Sequence, residues 1–572
     1  MLQHVIAMGA GREAADLLFT NARLVNVFSA DIETTQVAVG HGVIVGIGPE
    51  YRQARQVYDL AGKYLLPGLI DGHVHLESSL VSPARYAEAV VPHGTTTVVA
   101  DPHEIANVAG AVGLMYMLNA TKHLPLEVFF MVPSCVPATA LETAGAELGP
   151  GLIEAALQHE RVLGLAEVMN YPGVVASERQ VLEKTLAARR ARKLIDGHAP
   201  GLSGPALMAY LSAGIGSDHE CTTLAEAREK LGRGMRVMLR EGSASKNLAA
   251  LAPLVTPLTA RRCLLVSDDR DVWDLTREGH MDGLLRKAVA LGVAPQLAVQ
   301  MTTLNSAEYF GLRQHGGIAP GAVADLVVVN DLQDFSVALV FKRGRLVAEQ
   351  GHLVAPLAEE VPTDLLHTVN LPTLSLETLK IPAQSGKVRA IGVIPGQILT
   401  RQHIVEATTR EGYIVADPTR DLLKLAVVER HRGTGNIGLG LVTGFGLQAG
   451  ALASSVAHDS HNLIAVGVDD GDLLCALSEV SRLGGGLAVC AGRRLLASLA
   501  LPIAGLMTHA PLAQVTEAFQ ALQQSVQTLG CALARPFMAL SFLALPVIPE
   551  LRLTDRGLVD VERACFVPLY TA

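Results

Sequence analysis

The segment "LIDGHVHLESS", residues 69 to 79, places His73 and His75 two apart at the end of an apolar run. On a β-strand side chains repeat every second residue, so both imidazoles face one way while Val74 faces the other. Two neutral nitrogen donors then reach one point, as a divalent cation requires. A pair of core histidines leaves the same trace, so the rest of the chain has to decide.

Other candidate ligands close later apolar runs: Glu167 in "GLAEVMN", His198 in "IDGHAPG", His219 in "GSDHECT" and Asp268 in "LVSDDRD". Singly, His198 before Ala-Pro-Gly suits a turn and Glu167 suits a solvated loop. Jointly, four imidazoles, one carboxylate able to bridge and one further carboxylate are enough to hold two divalent cations. Such ions bring the pKa of a bound water near neutrality, and the remaining carboxylate, Asp268, is expected to move protons as general base and acid. Asp269 faces the other way if the strand continues. His103 and Glu104, closing another run, are candidates for an additional metal or a proton relay. In "HDSHN", residues 458 to 462, His458 and His461 stand three apart. A loop closing over the pocket, or a structural turn, is favoured there over a further metal site.

Holding these residues together requires strands that end on one rim. Apolar runs end at "LIDGHVH", "TTTVVADPHE", "EVFFMVPSCVP", "VLGLAEVMN", "KLIDGHAP", "AGIGSDHE", "MRVMLREG" and "CLLVSDD", each followed by room for a helix. Eight such units predict a (β/α)8 barrel over residues 67–318, ahead of an open doubly wound sheet. The short alternating runs of 1–66 and their echo in 319–364 predict one small β-sandwich interrupted by the barrel. Residues 365–572, with glycine-rich apolar runs beside helical stretches, read as a C-terminal α+β domain. The proline-spaced segment from Pro356 to Pro382 reads as the linker.

Composition narrows the function. The chain has 572 residues, 18% charged and 4% aromatic, with a net charge of -9 and no basic stripe, which disfavours nucleic acid as a partner. Mean hydropathy is +0.33, which points to large buried interiors and a homodimer or higher homo-oligomer. Seven scattered cysteines without a C-x-x-C pair fit reduced thiols in a cytoplasmic protein. No secretory signal is expected from the opening residues, and prolines or glycines interrupt every stretch long enough to suggest a membrane span.

"PGLIDGHVHLESS", "GHAPG", "SDHE" and "VSDDR" resemble the amidohydrolase superfamily. More closely, "VVADPHEIANVAG", "LREGSASKN", "HDSHN" and "FMALSFLALPVIPELRLTDRGLVDV" resemble the bacterial adenine deaminases. The resemblance implies that His73 and His75 bind one metal, Glu167 bridges, and His198 and His219 bind the other, with manganese expected and iron or zinc possible. It implies hydrolytic deamination of adenine to hypoxanthine and ammonia, by a metal-activated hydroxide attacking C6. Arg240, Ser243 and Glu104 are then candidates for contacting the purine. No lysine is available in "LGLAEVMN", which weighs against the relatives that bridge their metals with a carboxylated lysine. The alternatives are an N-acetyl-sugar deacetylase or cyclic-amide hydrolase, and a non-catalytic assembly protein of the same superfamily.

Overall fold

The computed structural model describes residues 1–359 and 363–571. The segment expected to be the linker therefore includes three residues, 360–362, that lie outside the described residues. The expected boundary at 364 falls just beyond them.

All eight expected strands form. Leu69–Val74, Thr95–Ala100, Glu127–Val132, Val162–Val168 and Leu194–Gly197 make one parallel sheet, and Ser217–Asp218, Arg236–Arg240 and Cys263–Val266 make another. The two sheets join edge to edge. Gly216 N–H donates to Ile195 O at 2.9 Å on one side, and Asp268 N–H donates to His73 O at 3.0 Å on the other. The result is a closed barrel, in which every strand edge is paired. Gly197 permits the tighter of these joints, because a Cβ there would lie 2.3 Å from the Ser217 carbonyl oxygen.

Before the barrel, Ala15–Val25, Ile32–Gly40, Val43–Ile47, Ala54–Asp59 and Tyr64–Pro67 form strands. After it come Leu326–Val329, Val337–Lys342, Arg345–Glu349 and His352–Leu353. Tyr64–Pro67 pairs antiparallel with Leu326–Val329, so both segments belong to one nine-stranded sheet. That sheet folds over its own core: Phe19 and Phe341 lie on strands that are not neighbours, yet their rings meet edge-on at 4.9 Å.

The C-terminal region is built on an eight-stranded sheet with the helices Asp470–Arg482 and Leu512–Thr528. Among the described residues no helix is long and apolar enough to cross a membrane. This region covers the rim of the barrel. Thr143 gives its N–H and hydroxyl to Asp555 at 2.9 and 2.7 Å, and Asn462 donates to Thr143 O at 2.8 Å.

Two fully buried arginines organise that cover. Arg552 donates to the carbonyls of Ile548, Phe542, Ile398 and Pro549 at 2.6–3.1 Å. Arg430 donates to the carbonyls of His461, Thr368 and Ala504. Of these carbonyls, Phe542 O also accepts from Leu545 N–H at 3.2 Å and Pro549 O from Thr400 N–H at 3.0 Å, while a buried carbonyl left without a donor costs about 1–3 kcal/mol. Replacing Arg552 with Met keeps bulk and removes every donor. We expect the unfolding temperature to fall by about 5–10 °C. Thermal denaturation of the purified variant measures this, and an unchanged midpoint would mean that other donors reach those carbonyls.

Candidate metal centre

The first barrel strand carries His73 and His75 to the rim. Asp71, two residues earlier, accepts from the backbone N–H groups of His73 and Ser267, both at 3.2 Å, and so ties the first strand to the eighth. The eighth strand stops at Val266, and Asp268 takes a left-handed backbone with φ 57°. Such a conformation costs a non-glycine residue about 1–3 kcal/mol and ends the side-chain alternation. Asp268 and Asp269 therefore line the same cavity, which corrects the expectation that Asp269 faces away.

The structure brings His73, His75, Glu167, His198, His219 and Asp268 together, each at most 6% exposed. Glu167 stands between two sets of rings. Its Oε1 is 3.4 Å from His75 Nε2, while its Oε2 is 2.7 Å from His198 Nδ1 and 3.1 Å from His219 Nε2. Asp268 Oδ1 lies 3.4 Å from His73 Nε2 and 3.2 Å from His75 Nε2. The His73 and His219 rings stack at 4.1 Å.

The donor set fits divalent cations. His75 Nδ1–H donates to the backbone carbonyl of Asp101 at 2.9 Å, which turns Nε2 toward the centre. Nε2 faces oxygens of two carboxylates, an arrangement that repels unless a proton or a cation lies among them. Among the described residues, His73 Nε2 and His198 Nε2 are buried without any hydrogen-bond partner. Burial alone would raise the Glu167 carboxyl, but His219 and His198 outweigh it and hold Glu167 well below the usual carboxylate range. Burial would lower the His198 pKa, but Glu220 and Glu167 push it up to about 9, so a cation binding here displaces protons from the rings.

Asp268 is held from behind. Its Oδ2 accepts from Arg240 at 2.8 Å, and Arg240 also grips both oxygens of Glu220. Burial would raise the Asp268 carboxyl, but the Arg240 guanidinium, followed by the His73 and His75 contacts, keeps it well below its ordinary value. Arg240, expected as a substrate contact, thus spends both terminal nitrogens on carboxylates. Ser243 is engaged too: its hydroxyl donates to Asp274 at 2.6 Å and accepts from Asp271 N–H at 3.0 Å. Neither residue has its hydrogen-bonding groups turned to a ligand, apart from Arg240 Nε, which has no partner among the described residues.

His103 and Glu104 open the helix His103–Ala120 directly beside the centre. His103 Nδ1 is 3.2 Å from Asp101 Oδ2 and 3.5 Å from Glu167 Oε1. Glu104 meets both histidines of the "HDSHN" segment, which forms a loop over the cavity together with Ile398, Phe542, Leu545 and Ile548. The roles of Glu220 and Asp101 were not drawn from the sequence. The only signal was their adjacency to ligands, in "SDHE" and "ADPHE".

Comparison with known proteins agrees with this architecture. Residues 64–347 match the amidohydrolase family and residues 397–565 match the adenine deaminase C-terminal domain. The chain is 50% identical to a Dehalococcoides mccartyi protein named adenine deaminase over 570 residues, covering 100% of this chain and 99% of that one. It is 51% identical to a protein of the same name from Desulfatibacillum aliphaticivorans over 566 residues, covering 99% of each. Among solved structures, the L-hydantoinase of Arthrobacter aurescens is similar at a TM-score of 0.45 and 16% identity, over 60% of this chain and 98% of that one. On its full-length likeness to these relatives, the chain belongs to the adenine deaminase family of amidohydrolases.

Proposed function

We propose that the protein hydrolyses adenine to hypoxanthine and ammonia. The observation that carries this reading is Glu167, buried between two imidazole sets beneath a roof supplied by the adenine deaminase C-terminal domain. His73 and His75 on one side and His198 and His219 on the other, with Glu167 between them, would hold two divalent cations, manganese first and iron or zinc as alternatives. When bound, the ions supply an activated water at neutral pH and a Lewis acid beside the purine.

The chain's own groups do the rest. Asp268 is buried, held low in pKa and clamped by Arg240, so it can take a proton from the attacking water at Oδ1 and pass one to the departing amine. Glu220 fixes the Arg240 guanidinium in two directions, which keeps the carboxylate aimed at the centre. Ile398, Phe542, Leu545 and Ile548 give the purine faces an apolar surface and exclude bulk water. The cavity beneath them holds about 30 Å³, room for a water but not for a purine, so substrate entry requires the roof to lift. The free thiols of all seven cysteines suit a reducing, cytoplasmic setting, and a homo-oligomer fits the apolar composition.

The direct test is ammonia release from adenine by metal-depleted protein after Mn(II) is added back, with the shift of the purine absorbance toward hypoxanthine. Two bound ions without turnover would rule out adenine and retain a metal hydrolase. Asp268→Asn should keep its metal and lose about 10²–10⁴-fold in kcat, the usual share of a proton-transfer group, whereas His73→Ala should lose metal as well. Metal analysis beside steady-state kinetics separates the two, and full activity in Asp268→Asn would assign the proton to another residue.

A pH profile tests the clamp. Removing the Arg240 guanidinium takes away what holds Asp268 down, so its carboxyl should rise. A base with a raised pKa is protonated at higher pH. The acid limb of kcat/KM in Arg240→Met should therefore move upward relative to the unaltered protein. A limb that stays in place would show that Asp268 is not the group titrating there.

A further inference from the structure

Glu104 lies at the junction of the barrel and the C-terminal region. Its Oε1 is 2.7 Å from His458 Nδ1 and its Oε2 meets His461 Nε2, with all three residues at most 2% exposed. The trio has the composition of a cation site, but the hydrogen bonds of His461 argue against one. The backbone N–H of Ala457 donates to His461 Nδ1 at 3.2 Å, which places the ring proton on Nε2, facing Glu104. A ring protonated there is a donor to the carboxylate and has no lone pair to give a metal. Burial lowers the His461 pKa, which agrees with a neutral ring. Burial would raise Glu104, but His458, His103 and His461 outweigh it and hold the carboxyl well below its ordinary value.

His458 differs from His461 in one respect. With Nδ1 turned to Glu104, its remaining polar atom is Nε2, which is buried and has no partner among the described residues. His458 lines the cavity shared by His75, Glu167 and Asp268, and its ring lies flat on Phe542 with centroids 4.4 Å apart and planes at 12°. Burial would lower the His458 pKa, but Glu104, then Asp269 and Asp459, outweigh this and push it up to about 9. The Glu104 carboxylate on Nδ1 favours the protonated ring, and a buried Nε2–H without an acceptor is a costly arrangement that calls for a ligand atom.

We propose that His458 reaches from the C-terminal domain to touch the substrate, its Nε2–H donating to a ring nitrogen of the purine, and that Glu104 is the residue that positions it. The inference rests on the adenine reading of the site and adds to it a specificity contact from the second domain. The ligand class is a planar nitrogen heterocycle with an in-plane lone pair. A ring bearing C–H at that place leaves the donor orphaned, and this penalty is the source of discrimination. The stack on Phe542 fixes the plane of the imidazole, and hence the direction in which Nε2–H points.

The test uses the full-length manganese-loaded protein with adenine and its 1-deaza, 3-deaza and 7-deaza analogues, each of which replaces one ring nitrogen by C–H. His458→Phe keeps a flat ring against Phe542 and removes the donor, whereas His458→Gln retains an N–H. For one analogue, we expect a binding penalty of about 10- to 100-fold in the unaltered protein, which disappears in His458→Phe, as for a hydrogen bond to a charged group. Adenine's kcat/KM should fall by a similar factor in His458→Phe at unchanged metal content, and His458→Gln should recover part of it. If no analogue's penalty depends on residue 458, the proposal is overturned. If His458→Phe does not fold, the comparison between His458→Gln and the unaltered protein decides it. If adenine is bound but not turned over, the adenine-deaminase reading fails, while calorimetric binding of the same four purines still judges His458.

Discussion

Buried imidazoles and carboxylates converging on one point are the constraint on which the rest of the structure depends. His75 presents its Nε2 to Glu167 and Asp268 because the Asp101 carbonyl occupies its other nitrogen. Left unbalanced, such an arrangement is strongly unfavourable in a medium of low dielectric. Barrel closure, the left-handed turn at Asp268 and the burial of every ligand serve to hold this arrangement in place.

Electrostatic balance extends outward in shells of alternating sign. Asp268 is backed by Arg240, Arg240 by Glu220, and Glu220 lies 3.6 Å from His198, which returns the chain of charges to the centre. On the other side, Glu104 is enclosed by His458 and His461. Arg430, which donates to the His461 carbonyl, anchors that loop through backbone oxygens and the Thr368 hydroxyl, with no carboxylate partner among the described residues. Charges placed this way are costly to remove singly, since each removal strands its neighbour.

Much of the barrel was legible because its signal is local. Eight apolar runs each end in a polar residue at the rim, and the i, i+2 spacing of His73 and His75 survives in the structure. Asp269 was misread because alternation holds only while the strand does, and the left-handed residue before it ends the strand. Arg240 and Ser243 were recognisable as polar residues near the rim, but sequence does not show which partner takes each donor. Glu104 and His461 are 357 residues apart, and no periodicity links residues at that separation.

That separation bears on why the C-terminal region exists. A barrel rim of histidines and carboxylates activates water but offers few apolar faces to grip a flat, uncharged base. Ile398, Phe542, Leu545 and Ile548 provide those faces, and all four come from beyond the barrel. Arg552 binds the carbonyls of Ile398, Phe542 and Ile548, which ties separate segments of the roof to one side chain. The Glu104 contacts join roof to rim, with His458 and His461 on one side and the helix His103–Ala120 on the other. Covering the site and pairing the buried charge at Glu104 therefore depend on the same contacts, which ties exclusion of water to the junction between the barrel and the C-terminal region.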